Sequence, residues 1–447
     1  MPGDIIEYVI GQGSLKLYNA YTIAMMGSML SIVLQKTGVA ESMIKKGAEL
    51  SGDNPWIIAV ITLLLIIFLF SILGGLGAII MVATIVLPIM SSVGIGSVTA
   101  VGIFLFGLSI GGIINVGNWA VYISVMGLQS DEIKRFAMII FCISILVALI
   151  YITVQLYRDG QNINVKKISL ASLSCALVVT AIAIIYNYFL TPYGKEMVSQ
   201  VLSVTALTLK WIIAVAIALL FFTVAIRLML KKNEHFQDVH WTAYFSPVIP
   251  LFLILLFNLN FIASFIVGIL YAFMSTYKKG RLNLLIRCIF EGGAVVMPAI
   301  VLMFGIGMLL VAIIGPGVEL KAYPNGWPVL NLLKPLLLNI VPHSGVSYII
   351  IFTLCAPLAL YRGPLNVWGM GYGLAAVFLA SGLNPGAIMG ILLAVGQIQG
   401  ISDPTNTHNV WLANEMQTDV QKLLINTIPY TWAIAFLGLV CASLIYL

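Results

Sequence analysis

Long apolar runs alternate with short polar stretches along the chain, and this pattern sets the order of the predicted elements. Runs such as 57–73 and 211–226 approach the length of a helix that crosses a membrane. We predict spans at 17–36, 56–73, 77–92, 97–126 (broken), 133–157, 170–191, 209–230, 244–276 (two short spans), 290–314, 344–361, 366–381, 385–416 (broken) and 424–446. The pattern therefore predicts an all-α polytopic membrane protein with about 10–13 transmembrane helices.

The two ends of the sequence resemble each other. A shift of 288 residues lays 92–134 over 380–422 without a gap, and several glycines and isoleucines coincide. Polar identities fall in the same run: Asn118 on Asn406, Gln129 on Gln417, Asp131 on Asp419 and Lys134 on Lys422. A shared ungapped run of this kind indicates two related halves.

The halves define the predicted domains. These are an N-terminal segment at 1–16, a transmembrane repeat at 17–157, linker helices at 158–289 and a second repeat at 290–447. When the basic loops are placed in the cytoplasm, the opening span of the first half runs inward and that of the second runs outward. We therefore expect inverted repeats, each with a re-entrant hairpin and a broken helix, and a substrate site where they meet.

Composition narrows the class of protein. A mean hydropathy of +1.08 with 9% charged residues excludes a soluble domain, and the net charge of +6 does not imply a nucleic-acid partner. The five cysteines lie in apolar spans without CxxC pairing, so no disulfide framework or metal centre is predicted. The first residues lack the pattern of a removable signal peptide. We expect a multi-pass protein of the bacterial cytoplasmic membrane.

Polar stretches interrupt apolar spans at equivalent positions of the two halves, 111–118 and 399–406. Irregular backbone at membrane depth survives only when it is buried in protein or lines a water-filled cavity. The ends of a broken helix offer unpaired N–H groups to anions and unpaired carbonyls to cations. The two breaks are therefore predicted to form one paired binding site. Its candidate residues are Asn115, Gly117, Asn118, Ser402, Asp403, Thr405, Asn406 and His408.

Asp403 is the only acid within the breaks, and an acid inside a membrane is a functional hypothesis by default. It is expected to bind Na+, together with Asn406 and Asn118, or to carry a proton. The neutral candidates have a plainer alternative, because Asn and Thr also join membrane helices by hydrogen bonds. His408 is equally open between a packing role, a ligand contact and a proton relay.

Three further candidates lie outside the breaks. Arg362 opens a stretch that aligns with residues 74–78 and has the form of a re-entrant hairpin, so it is expected either to meet an anionic solute or to anchor the chain in the cytoplasm. Asn366 follows in the same stretch, and His343 lies in a predicted loop tip near the pathway. No cofactor is predicted apart from Na+ as a coupling ion.

The stretch TGVAE at 37–41 follows a glycine-containing first span, and Gly/Asn/Thr-rich breaks follow in both halves. In these features the chain resembles the bacterial gluconate permease and citrate–proton symporter families and, more widely, the ion transporter superfamily. The resemblance implies paired hairpins, a homodimer and Na+- or proton-coupled uptake of carboxylates. It also implies sodium or carboxylate contacts at Thr405, Asn406 and Asn118. The first break reads NVGN where the superfamily has Ser-Asn-Thr. This difference weighs against two symmetric sodium sites.

We therefore predict a secondary active transporter that moves a small organic anion, such as a carboxylate, with Na+ or H+. The alternative is a cation/proton antiporter with Asp403 as its exchange site. An enzyme is not predicted, because the sequence has no HExxH or GxSxG context for its histidines and serines. ATP drive is not predicted either, because there is no GxxxxGK[ST] phosphate loop.

Overall fold

The computed structural model consists of helices joined by short turns. It describes residues 2–49, 54–161, 192–230, 239–278, 281–316, 323–324, 326–332, 335, 341–342, 344–367 and 371–447. The predicted span at 170–191 and the candidate His343 lie outside the described residues. Within them, no residue adopts a β-strand.

The first half begins with a short helical segment made of Pro2–Asp4, the π-helical Ile5–Gln12 and Gly13–Leu15. Local sequence explains where several later helices start. The Asn54 side chain accepts hydrogen bonds from two N–H groups in the first turn of the helix Pro55–Phe70, and Pro55 occupies a position where its missing N–H costs nothing. The helices of this half are α1 (Tyr18–Lys36), α2 (Val39–Glu49), α3 (Pro55–Phe70), α4 (Leu76–Ser92), α5 (Ser97–Ile114), α6 (Val116–Met126) and α7 (Ser130–Arg158).

The remaining α-helices of the described residues lie in the linker region and the second half, where Trp241–Phe245 and Ala356–Ala359 form short 3₁₀ helices. These α-helices are α8 (Pro192–Leu230), α9 (Val248–Leu255), α10 (Phe261–Ser275), α11 (Arg281–Ile314), α12 (Gly345–Cys355), α13 (Tyr372–Ala380), α14 (Pro385–Ser402), α15 (Thr407–Glu415) and α16 (Val420–Tyr446). Two of them start earlier than predicted, α8 at 192 instead of 209 and α11 at 281 instead of 290. Hydropathy marks where a helix becomes apolar, and the first helical turns of both helices are more polar than the stretches that follow.

Helix length and composition confirm the predicted all-α polytopic fold. Among the described residues, seven helices are long and apolar enough to cross a membrane. These are Ile5–Lys36, Ser97–Ile114, Ser130–Arg158, Ser203–Leu230, Arg281–Ile314, Pro385–Glu415 and Val420–Tyr446. Shorter apolar helices such as α3, α4 and α10 pack among them, and the protein is a multi-pass membrane protein.

Helix boundaries recur at the spacing found in the sequence. Helices α5 and α14 begin and end 288 residues apart, α4 and α13 end 288 residues apart, and so do α7 and α16. Ser109 on α5 donates a hydrogen bond to Gln397 on α14, at 2.8 Å. These two residues are themselves 288 positions apart, so equivalent residues of the two halves touch each other. The halves therefore meet along α5 and α14, the two helices that carry the breaks.

Candidate binding site between the two halves

The first break separates α5 from α6 at Asn115, whose backbone is extended. The Asn115 side-chain oxygen accepts from the Gly117 N–H at 3.0 Å, and its NH2 group donates to the Phe70 carbonyl at 3.1 Å. Asn118 donates to the Gly112 carbonyl in the last turn of α5, at 2.9 Å. The two amides therefore satisfy backbone groups that the break leaves without helical partners.

The second break separates α14 from α15 at Asp403, which is fully buried. Its Oδ1 accepts from the Tyr361 N–H at 3.0 Å and from the N–H and hydroxyl of Thr405 at 2.9 and 2.7 Å. Its Oδ2 accepts from the Asn366 NH2 at 3.2 Å and the Arg362 N–H at 3.5 Å. Five donors therefore surround this carboxylate, which accounts for its burial without a cationic partner among the described residues.

Asp403 and Asn115 occupy equivalent positions in the two halves. Asn115 hydrogen-bonds the turn at the end of α3, and Asp403 hydrogen-bonds the turn that follows the short helical segment Ala356–Ala359. In the first half that turn presents the carbonyls of Phe70 and Leu73, which require a donor. In the second half it presents N–H groups, which require an acceptor. Tyr361 and Arg362 there have φ values of 55° and 54°, in the left-handed region that non-glycine residues seldom adopt. The acid thus stabilises a strained turn.

A cavity of about 280 Å³ lies between the breaks, and both halves line it. Much of its wall is apolar, from residues such as Phe70, Leu108 and Leu392. Among the described residues that line it, none is Asp, Glu, Lys or Arg. The polar side chains in the wall are Ser109, Asn115, Asn118, Tyr122, Tyr372, Gln397, Gln399 and His408. Neutral hydrogen-bonding groups in an apolar wall suit a small polar solute.

The predicted candidates divide into two groups in the structure. Asn115, Asn118 and His408 line the cavity, and the His408 Nε2 atom lies 3.4 Å from the Gly400 carbonyl oxygen. The other five break candidates, Gly117, Ser402, Asp403, Thr405 and Asn406, are not part of its lining. Their roles as ligand contacts stay predictions.

Outside the cavity, the candidates make contacts that join helices. The Ser402 hydroxyl hydrogen-bonds those of Thr427 and Thr431 on α16, at 2.8 and 2.9 Å. Arg362 and Asn366 bind the Asp403 carboxylate, and the Arg362 side chain is exposed. These contacts agree with the alternative role of polar residues in membrane proteins, which is to join neighbouring segments by hydrogen bonds.

Five polar residues of the cavity were not singled out from the sequence: Ser109, Tyr122, Tyr372, Gln397 and Gln399. A signal existed for the two glutamines, because they interrupt the otherwise apolar run GILLAVGQIQG in α14. The two tyrosines come from opposite halves, and their ring centroids lie 6.1 Å apart. Their approach depends on the packing of α6 and α13, which the sequence pattern does not determine.

A sodium ion requires several oxygen ligands. Asn118 and Asn406 each use the NH2 group to bind a carbonyl, which leaves the side-chain oxygens without a partner among the described residues. These oxygens and the neighbouring carbonyls have the right chemistry for Na+. The Asp403 oxygens already accept five hydrogen bonds, and the predicted role of this acid as a Na+ ligand stays a prediction. Within the described part of the chain, no three His, Cys, Asp or Glu residues cluster as metal ligands.

No family profile and no curated protein matches the sequence. Two solved structures resemble the fold at low identity. One is the YdaH transporter of Alcanivorax borkumensis, described as having an unusual topology, with 12% identity, 98% of this chain and 86% of that chain covered and a TM-score of 0.48. The other is MtrF of Neisseria gonorrhoeae, described with a class of antimetabolite efflux pumps, with 11% identity, 100% and 84% covered and a TM-score of 0.49. At these values neither likeness bears on the function of this chain.

Proposed function

We propose that the protein is a secondary active transporter that moves a small organic anion across the bacterial cytoplasmic membrane, coupled to Na+ or H+. One observation carries this proposal. A cavity of about 280 Å³, with neutral polar groups in a largely apolar wall, lies between two helix breaks that occupy the same position in the two halves of the chain. Related halves that meet at a central site are the architecture of alternating access. We place the protein with transporters of the ion transporter type, acting as a homodimer and not as an enzyme.

The wall of the cavity supports an anionic solute without a cationic side chain. Helix α4 starts after Gly75, which lines the cavity, and has no side-chain cap there; a helix start favours negative charge. Bound Na+ at the oxygens of Asn118 and Asn406 would add positive charge near the anion. Among the described residues of the wall, His408 is the one histidine, and it is our candidate for a proton pathway. The coupling ion is therefore either Na+ at the breaks or a proton at this histidine.

The first test is ligand-dependent stability of the purified protein. A panel of monocarboxylates, dicarboxylates, citrate and sugar acids is added with Na+ or with choline, and thermal unfolding is recorded. A ligand at about 100 times its dissociation constant stabilises the folded state by roughly 2.7 kcal/mol, which a melting curve resolves. We expect one class of acid to raise the melting temperature. If no acid does so under any ionic condition, the organic-anion proposal is wrong.

The competing function is cation/proton exchange without an organic solute. It predicts stabilisation by Na+ alone and proton release on Na+ addition to protein in liposomes. Asp403 is buried among five donors and is not one of the residues that line the cavity, and both observations argue against this acid as the exchange site. If Na+ raises the melting temperature and no acid changes it, the antiporter is nevertheless favoured.

A further inference from the structure

We propose that Gly74 and Gly112 leave space in the cavity for an unbranched hydrocarbon chain, and that they set the longest carboxylate the protein accepts. This inference rests on the proposed transport function. It adds the body of the solute and the residues that limit its length. It follows from what a side chain would meet at each glycine of the cavity wall.

Five glycines line the cavity among the described residues, and backbone conformation or packing requires three of them. Gly75 has a φ of 84°, in the left-handed region that other residues rarely adopt. A Cβ at Gly396 would lie 3.1 Å from the Val367 Cγ2 atom, and a Cβ at Gly400 would lie 2.5 Å from the Ser109 Oγ atom. A side chain at these three positions would therefore strain the backbone or displace a neighbour.

Gly74 and Gly112 are the other two, and neither has a positive φ. Beyond its chain neighbours, a Cβ at Gly74 would meet no atom within 4 Å. A Cβ at Gly112 would meet the Asn118 Nδ2 atom at 3.6 Å, which is an ordinary contact. Gly112 also lies inside α5, where glycine destabilises a helix relative to alanine. Backbone and packing therefore do not account for these two glycines, whereas the space that they leave does.

Hydrocarbon side chains border this space. Within four positions of the two glycines in the sequence, the apolar residues of the cavity wall are Phe70, Leu73, Leu108 and Ile113. Apolar surface is stabilised when a methylene chain replaces water against it. A second charged group at this part of the wall would lose its hydration without a charged partner among the described lining residues. A hydrocarbon chain therefore fits this part of the cavity best.

The equivalent positions of the second half leave no such space. Gly400 is equivalent to Gly112, and its Cβ would run into the Ser109 side chain. Arg362 is equivalent to Gly74, and it is not among the residues that line the cavity. The free space therefore lies along the first half of the chain only. A solute that extends into it is limited in one direction, so the wall selects by chain length.

The test measures binding of straight-chain acids to the purified full-length protein by calorimetry. The probes are the monocarboxylates from acetate to octanoate and the dicarboxylates from malonate to suberate, with citrate and gluconate as acids that lack an unbranched hydrocarbon body. We expect the affinity of wild type to rise with chain length up to one acid. It should then fall by about tenfold or more at the next homologue, because one methylene too many does not fit a closed pocket.

Two variants each add one methyl group to the wall, Gly74→Ala and Gly112→Ala. We expect each to move the longest accepted acid to the next shorter homologue. Affinity for the longest acid of wild type should fall by about tenfold, while much shorter acids keep their affinity. The matched control is Gly293→Ala, which adds a methyl group in open space on α11 outside the cavity lining and should leave the length profile unchanged.

Thermal unfolding of the unliganded variants separates space from packing. Gly112→Ala should not melt below wild type, since its new Cβ makes only an ordinary contact. A lower melting temperature would show that packing requires this glycine and would overturn its role in the cavity.

The binding results distinguish the remaining failures. An unchanged length profile, or an equal loss of affinity for short and long acids, overturns the role of the substituted glycine and leaves anion transport intact. Tighter binding of citrate or gluconate than of every straight-chain acid overturns the hydrocarbon body. If wild type binds none of these acids and takes up none of them in liposomes, the transport proposal itself fails.

Discussion

Replacing Asp403 with Asn is the substitution that most clearly separates a structural acid from an ion-binding one. If Asp403 holds Na+ or a proton, Asp403→Asn should abolish coupled transport and leave the fold intact. The observed contacts lead to a different expectation. Every group around the carboxylate is a donor, so the NH2 of the new amide must face N–H or O–H groups in either orientation.

The size of the effect follows from the least damaging orientation. An amide that keeps its oxygen at the Oδ1 position retains the bonds from Tyr361 and Thr405 and loses those from Asn366 and Arg362. Hydrogen bonds to a charged group contribute about 1.5–3 kcal/mol each, so the loss is about 3–6 kcal/mol of unfolding free energy. The left-handed turn at Tyr361 and Arg362 also loses part of its support.

Thermal and denaturant unfolding of the purified variants would measure this loss. The matched control is Asn115→Asp, which places a carboxylate against the Phe70 and Leu73 carbonyls at the equivalent break, and it should be destabilising as well. Wild-type stability in Asp403→Asn, combined with loss of Na+- or proton-coupled uptake, would refute this reasoning and restore Asp403 as the ion site.

Three further predictions concern packing, the cavity and a helix end. Gly292→Ala should destabilise by about 1–3 kcal/mol because its new Cβ would lie 2.6 Å from the Met29 Cα, whereas Gly293→Ala, with open space around it, should be neutral or slightly stabilising in unfolding assays. In Gly112→Ala the new Cβ would lie 3.6 Å from the Asn118 Nδ2 atom, which is an ordinary contact, but the methyl group narrows the cavity. Uptake should therefore fall while the melting temperature stays the same. Lys134→Met removes a 2.5 Å hydrogen bond to the carbonyl that ends α9 and should cost about 1 kcal/mol; unchanged unfolding would contradict that capping role.

Much of the fold could be predicted because helix pattern and repetition are local properties of the sequence. The broken spans at 97–126 and 385–416 appear as α5–α6 and α14–α15, and the apolar region 244–276 divides into two short helices. Hydropathy was less informative about helix starts. The polar first turns of α8 and α11 extend the helices beyond the apolar stretches that mark them.

The site was harder to predict because polar residues in a membrane helix contact either a ligand or another helix, and the sequence does not distinguish the two. Asn118 and His408 line the cavity, whereas Ser402 bonds to α16. The role of Asp403 depends on the turn at 361–362, which lies some 40 positions away in the sequence and presents N–H groups only because of its backbone conformation. Gln399 is detectable in the sequence as a polar residue in an apolar run. The hydrogen bond that its Oε1 accepts from the Val367 N–H depends on the fold and could not be predicted.

The most direct test of the account is gradient-driven uptake in liposomes by wild type and Gly112→Ala. The labelled solute is the carboxylate that raises the melting temperature most, and inward Na+ and pH gradients are imposed separately. The account predicts accumulation above equilibrium with one of the two gradients in wild type, and reduced accumulation in Gly112→Ala. Uptake that only equilibrates, or cation exchange that proceeds without any solute, would contradict it.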